Sequence, residues 1–349
     1  MNTLNVTVAI TGMNAQPDNP GPGLAVARCL RESKDFSGRI IGLGYDALDP
    51  GLYLHDICDA SYLLPYPSAG DMAFLETLQS IHRKEKIDIL IPCLDAELPG
   101  MVRLTPRLDE LGIRYFLPTQ EQLRLRNKDR LMELANIAGI QCPEIKAITH
   151  AAFFTHCEDE GWHYPLVVKG LFYGAKIVNS IDEAIHAFHS IASEWGFPVL
   201  VQKMVTGVEY NLMALGDGQG GMLGEVMIKK MAVTDKGKAW SGVSIFDESL
   251  YEASAALVKA VSWRGPLEVE VMRDQQGQYQ LIEINPRFPA WVYLSAGLGR
   301  NLPLALLRLI LDEPLGKFSP PDPGVMFIRY AHETIVPMRE FEELVLSNR

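Results

Sequence analysis

The chain is predicted to be α/β in its first third, an N-terminal doubly wound parallel sheet, and to continue as an α+β fold. Three observations carry this. Apolar runs of strand length alternate with helix-period segments up to about residue 118, and beyond residue 119 strand-like runs follow one another through short turns. The last strong one, Leu281-Ile282-Glu283-Ile284-Asn285-Pro286-Arg287-Phe288, leads an apolar strand straight into a carboxylate, a carboxamide and a guanidinium.

In the first third, residues 6–10 read as a strand ending at Thr11-Gly12, 23–31 have helical spacing, and 39–43 form the next strand. A helix near 71–83, a strand over 87–92, a helix from 97 to 111 and a strand over 114–117 complete the alternation, which implies parallel strands joined by crossover helices. Asn19-Pro20-Gly21-Pro22-Gly23 follows the first strand, but Pro22 interrupts a dinucleotide fingerprint and Val26 stands in the third glycine's place, so a structural loop is expected. Asp95-Ala96-Glu97 lies just past strand 87–92, where open α/β sheets place ligands. It also reads as the cap of the next helix, and both readings stand.

From Thr119 the character changes. Thr119-Gln120-Glu121-Gln122 is a capped helix start, and Arg124, Arg126, Lys128 and Arg130 form a basic stretch suited to a solvated helix face. Residues 131–137 keep helical spacing and stop at Gly139. Strand 164–169 closes on Lys169 and turns through Gly170-Leu171-Phe172-Tyr173-Gly174-Ala175-Lys176 into strand 177–178. His186 and His189, on a helix over 180–192, lack a third ligand and read as packing residues. Strands 197–205, 208–215 and 224–231 are expected to form a meander. A helix over 302–311 and a strand over 326–331 follow, the latter with no chemical signal.

The chemistry concentrates in one hairpin. Glu283 and Asn285 are two apart, so on an extended backbone they share a face and their oxygens reach one hard divalent cation. Arg287 continues that face and suits a phosphate. A strand over 265–271, joined to this one by the turn at Asp274-Gln275-Gln276-Gly277, brings Glu270 beside Glu283. Two carboxylates and an amide oxygen make an oxygen-only donor set of the kind Mg²⁺ takes.

Composition sets the boundaries. The 349 residues are 48% hydrophobic, enough for two or three domains, and the net charge of −11 argues against nucleic-acid and membrane surfaces, both of which call for a basic face. The five cysteines are scattered without C-x-x-C spacing, and residues 1–4 lack the basic start of a leader segment, so the expected place is the cytoplasm.

In order and approximate spacing, Lys128, Lys169, residues 199–205, Gly207-Val208-Glu209-Tyr210, Glu270, Glu283, Asn285 and Arg287 resemble the ATP-grasp superfamily. The likeness is to its carbamoyl-phosphate-synthase-like and biotin-carboxylase-like branch and covers residues 5–315. It implies a pre-ATP-grasp domain at 1–118, a small lid subdomain at 119–202, a metal-binding subdomain at 203–318 and an extension at 319–349. It further implies that Lys128 and Lys169 contact ATP phosphates, and that Gln202, Lys203, Met204 and Val205 form the strand whose backbone reads adenine, with Glu209 near the ribose. Glu270, Glu283 and Asn285 would hold Mg²⁺, commonly two ions and with Mn²⁺ as an alternative, and Arg287 would stabilise the transferred phosphoryl group. The loop at 170–176 is shorter and bulkier than the family's glycine-rich lid, so either Lys176 would supply the charge that backbone amides give elsewhere or the loop would have lost its phosphate role. Lys229, Lys230, Lys236 and Lys238, with Trp240, Trp291 and Tyr293, would face the acceptor, Lys229 and Lys230 as catalytic cations beside Arg287; the other reading places the lysines on a solvated hairpin and the aromatics in the core. The implied reaction is ligation of a small-molecule or peptide carboxylate to an amine or thiol through an acyl phosphate, in a chain compatible with a homodimer. An ATP-binding subunit or sensor without turnover, and a kinase-like transferase, are the alternatives.

Overall fold

The computed structural model describes residues 2–16, 19–171, 174–235 and 237–346. The first region contains β1 (Thr7–Thr11), α1 (Gly23–Arg31), β2 (Arg39–Gly44), β3 (Ala60–Leu63), α2 (Asp71–Glu85), β4 (Ile89–Ile91) and α3 (Leu98–Glu110). Its four strands are all parallel in the order β3-β2-β1-β4. Alternation along β1 and β2 divides the core in two: Val8, Ile10 and Ile40 pack with Val26, Ala27 and Leu30 of α1, whereas Ala9, Ile41 and Leu43 pack with α2 and α3. The sheet is therefore doubly wound, as predicted. The glycines before α1 are steric necessities, since a Cβ on Gly23 would lie 1.9 Å from the Thr11 carbonyl oxygen. Two details differ from expectation. The four-residue β3 had no strong apolar signature, and residues 114–117 form no strand, making only a bridge between Ile89 and Arg114.

Next come α4 (Gln120–Leu125), α5 (Leu131–Ala138), β5 (Ile145–Ile148), β6 (Leu166–Gly170), β7 (Ala175–Val178), α6 (Ile181–Trp195) and β8 (Val199–Lys203). The strands form an antiparallel sheet in the order β5-β8-β6-β7, and α6 packs Ala184, Ala187, Phe188 and Ile191 onto Leu166, Val168, Val199 and Val201. The expected meander is thus corrected. β8 pairs with β5 and β6, not with the strand that follows it, so Met204-Val205-Thr206 carries the chain from one sheet to another.

The third sheet is built from β9 (Gly207–Asp217), β10 (Met222–Val233), β11 (Ala239–Ile245), β12 (Arg264–Asp274) and β13 (Tyr279–Asn285), with α7 (Glu248–Ala260) between β11 and β12. After α8 (Tyr293–Gly297) and α9 (Leu302–Ile310), β14 (Met326–Ile328) adds an edge strand, giving the order β13-β12-β9-β10-β11-β14, and α10 (Met338–Leu346) follows. One face carries Leu212, Met227, Leu267, Val269, Leu281 and Ile284 and is covered by α5 and α7. Leu125 and Leu131 belong to that same core, so α4 and α5, grouped by sequence with the lid, pack on the six-stranded sheet. On the opposite face, Phe288, Trp291, Val292 and α9 fill the space between Met213, Leu215 and Ile228 and the parallel sheet's Val8 and Ile10. Among the described residues no helix is long and apolar enough to cross a membrane.

Trp263, fully buried before β12, is the largest such side chain. Trp263→Ala is expected to cost about 3–5 kcal/mol, read as a lower urea midpoint at an unchanged m-value.

Candidate active site

The site begins with strand register. β12 and β13 pair Glu270 directly with Glu283 and Glu268 with Asn285. Just beyond Glu270 the ladder skips Ile282, so Val271 faces Leu281. This bulge explains a pattern that regular alternation forbids: Leu281 enters the apolar core while Glu283, two residues on, turns to the opposite face. On the neighbouring strand Asn211 lies opposite Glu270, and Glu209 and Lys230 share its face. Asn285 Nδ2 donates to Glu268 Oε2 at 3.0 Å and to Glu270 Oε1 at 2.8 Å, leaving its Oδ1 toward the Arg287 guanidinium at 3.3 Å. Glu268 also accepts from Asn211 Nδ2 at 2.8 Å and Trp291 Nε1 at 2.7 Å.

Each acid in this half-buried floor has a cation. The Lys230 ammonium bridges Glu209 and Glu270, the latter at 3.1 Å. Burial works against all three charges. Pairing reverses it for Lys230, which titrates above its usual range, and Lys230 with Lys238 brings Glu270 down to about 2; at Glu209 burial wins and the carboxyl rises to about 7. Glu268 is also pushed up, by burial and by Glu270, against the pull of Arg287 and Lys230. Lys128 Nζ lies 3.6 Å from Glu283. Lys169, only 5% exposed, donates to Gln202 Oε1. Burial first and Lys128 second depress its amine to about 8, with Glu283 opposing.

Arg287 reaches into the parallel-sheet region, where its Nε donates to Asp95 Oδ2 at 2.7 Å. Asp95 stands past the end of β4, at the point where the strand order reverses between β1 and β4. Burial would raise its carboxyl, but Arg287 and Arg126, the latter 3.4 Å away, hold it below the usual carboxylate range. Neither Asp95 nor Glu97 makes the expected helix cap. Glu97 instead accepts from the backbone N–H groups of Cys93 and Leu94, both at 2.8 Å, and from the Thr11 and Tyr45 hydroxyls.

Of the residues singled out from sequence, Lys128, Lys169, Gln202, Glu209, Lys230, Glu270, Glu283, Asn285 and Arg287 are linked by contacts or charge coupling into one cluster. Met204 and Val205 line the passage between two sheets, half-buried. Three lysine side chains do not join them. Lys229 pairs with Tyr210 on the α5 and α7 face, because adjacent residues on a strand point oppositely. Lys176 pairs with Val168 on the α6 face and donates to Ser190 at 3.1 Å, so it does not stand beside Lys169. Lys203, on that face too, bonds Glu144 at 2.6 Å and lies over the Trp162 ring. Trp291 anchors Glu268, whereas Tyr293 is drawn to Arg28 of α1 and to Glu32 at its C-terminal cap. Lys236, Phe172 and Tyr173 lie outside the described residues.

Three participants escaped the sequence reading of the site: Asn211, Arg126 and Arg329. Alternation from Glu209 could have found Asn211. Arg126 stood in a stretch expected to be solvated, yet its side chain is 16% exposed. Arg329 follows β14, bonds the Trp240 and Ala239 backbone, and lies over Phe327, which stacks on Trp291. Burial lowers its guanidinium to about 10, with Glu268 opposing.

A parallel domain, a small antiparallel sheet and a larger antiparallel sheet facing one cleft define the class: this is the ATP-grasp fold. No family model matches the chain. It is 27% identical over 174 residues to a D-alanine–D-alanine ligase of Ectopseudomonas mendocina (strain ymp), a match covering 46% of this chain and 54% of that protein, about half its length. Among solved structures, it resembles the biotin carboxylase domain dimer of Hydrogenobacter thermophilus 2-oxoglutarate carboxylase, in complex with MgADP, ADP and bicarbonate (TM-score 0.68, 15% identity, 91% of this chain and 72% of that one). It also resembles an L-amino acid ligase from Bacillus licheniformis (TM-score 0.65, 17% identity, 88% and 74%).

One lysine is expected to titrate near pH 8, visible by NMR of ¹³C-methylated amines. Lys128→Met should raise that value and Glu283→Gln lower it further, because the first removes a like charge and the second an opposite one.

Proposed function

We propose that this chain is an ATP- and Mg²⁺-dependent ligase that activates a carboxylate as an acyl phosphate for capture by an amine or thiol, releasing ADP and phosphate. The observation that carries this reading is the direct cross-strand pairing of Glu270 with Glu283, with Asn285 beside them and a lysine on each carboxylate. The donor set fits Mg²⁺, being oxygen-only and formed by two carboxylates and a carboxamide. Among the described residues no group of three His, Cys, Asp or Glu side chains converges as a metal cage, so phosphate oxygens would complete the coordination.

Mg²⁺, when bound, supplies charge neutralisation for the polyphosphate. The chain's own residues do the rest. Glu270, Glu283 and Asn285 would hold the ion, while Lys128, now 3.6 Å from Glu283, and Lys169 would contact the phosphates. Backbone groups from Gln202 to Val205 read the adenine, and Glu209 lies near the ribose. As a carboxylate oxygen bonds to the γ-phosphorus, the bond to the β–γ bridging oxygen breaks and that oxygen leaves with ADP. Arg287 holds the transferred phosphoryl oxygens, and positioning with charge stabilisation is what such a transfer requires. The nucleophile then attacks the acyl carbon, loses its proton, and inorganic phosphate departs. Arg329 and Lys238 supply positive charge for an anionic acceptor. The names of the relatives support amino-acid-like carboxylates and amines.

In this reading residues 1–118 and the segment around β14 present the acceptor, the sheet β5-β8-β6-β7 with α6 is the lid, and the six-stranded sheet binds metal. The protein acts in the cytoplasm, and the dimer of the H. thermophilus domain supports a homodimer. A second reading, an ATP-binding subunit without turnover, draws on Lys176, which lies in β7 and is committed to Ser190.

Purified protein with Mg²⁺, ATP and pools of amino and carboxylic acids should release ADP, and hydroxylamine should trap a hydroxamate. ATP binding without ADP release selects the second reading, and ADP release without hydroxamate selects a kinase. Glu283→Ala is expected to lower turnover about a hundredfold, roughly 3 kcal/mol of lost stabilisation, together with Mg²⁺-dependent nucleotide affinity; unchanged activity would exclude it as a ligand.

A further inference from the structure

Asp95 belongs to none of the ATP, metal or acceptor roles above, yet it makes the shortest contact of the Arg287 side chain. We infer that Asp95 is a positioning residue for Arg287, so that the parallel domain sets the orientation of the group that meets the transferred phosphoryl. This rests on the ligase reading for what Arg287 does, not for the contact itself.

A guanidinium has five N–H donors in a rigid fork. In Arg287, Nε donates to Asp95 Oδ2 at 2.7 Å, one N–H of NH1 to the Phe288 carbonyl at 3.1 Å, and one of NH2 to Asn285 Oδ1 at 3.3 Å. Among the described residues the second N–H of each terminal nitrogen makes no hydrogen bond; the nearest carboxylate on that side is Glu268, 3.9 Å from NH1. The bond to Nε fixes the plane of the fork and leaves one donor on each terminal nitrogen, the pair that grips two oxygens of one ligand.

Asp95 is itself held in place. Glu97 gathers the N–H groups of Cys93 and Leu94, the Thr11 hydroxyl at the end of β1 and the Tyr45 hydroxyl just past β2, clamping the loop that carries Asp95 to two strands of the parallel sheet. From the other side Arg126 approaches Asp95 Oδ1, which accepts no hydrogen bond and keeps its charge for the two guanidiniums. A clamped carboxylate on a rigid sheet is the support a preorganised cation needs.

Two measurements test this. In the nucleotide-free protein, the Arg287 Nε–H resonance, assigned by its absence in Arg287→Lys, should be protected from exchange, lose protection in Asp95→Ala and regain part of it in Asp95→Asn, which keeps an acceptor oxygen. Unchanged protection in Asp95→Ala overturns the proposal. Retention of fluorescent mant-ADP with Mg²⁺ and aluminium fluoride, a phosphoryl-transfer mimic, should weaken about tenfold or more in Asp95→Ala, with Mg²⁺–ADP affinity within about twofold of the parent. Asp95→Ala combined with Arg287→Ala should be no worse than Arg287→Ala alone, the mark of residues acting as one unit; full additivity, or equal loss of plain Mg²⁺–ADP affinity, overturns it. Protection lost as expected in a parent protein that never binds Mg²⁺–ADP sinks the ligase reading and leaves the contact standing.

Discussion

The structure depends on burying several carboxylates on neighbouring strands without leaving any of them uncompensated. Glu268, Glu270, Glu283 and Glu209 occupy one face of β9, β12 and β13, where bare charge would be costly. Their compensation comes from Lys230 on β10, Lys128 after α4, and Arg287 after β13, with amide and indole donors filling the positions that cations do not reach. The cations therefore converge from segments far apart in the chain, and only the assembled fold neutralises the floor.

This balance joins the structural regions. Arg287 ties the hairpin to the parallel sheet through Asp95, Lys169 of the small sheet is drawn toward Glu283 against the like charge of Lys128, and Arg329 approaches from the far edge of the six-stranded sheet. The acids are already ion-paired before any ligand arrives. In the proposed reaction an incoming cation or polyphosphate would exchange one set of partners for another without opening a bare charge.

Much of this was legible from the residues. The hairpin of β12 and β13 carried its own turn, and period-two alternation placed Glu283 and Asn285 together; the structure adds the bulge that reconciles them with Leu281. What could not be read depends on neighbours. Lys229 and Lys230 are chemically alike and adjacent, and only pairing with β9 decides which one faces the cleft. The same parity turns Lys176 away from Lys169. β8 looked continuous with β9 because both are apolar and separated by a short turn, while its true partners, β5 and β6, were specified by packing against α6. Arg329 acts through long-range contacts for which local pattern holds no signal, and Asp95, flagged by its place past β4, has a partner in Arg287 that only the assembled fold reveals.

The position of β14 bears on the order of assembly. The strand enters the sheet beside β11, roughly eighty residues earlier in the chain, and brings Arg329 with it. During synthesis every acid of the floor, with Lys128, Lys169, Lys230 and Arg287, precedes that last guanidinium. The pairing of β14 with β11 is non-local, although loop closure over such a length adds to the entropic cost only slowly. Pairing of β14 therefore covers the edge of β11 and sets the place of Arg329 through one and the same contact.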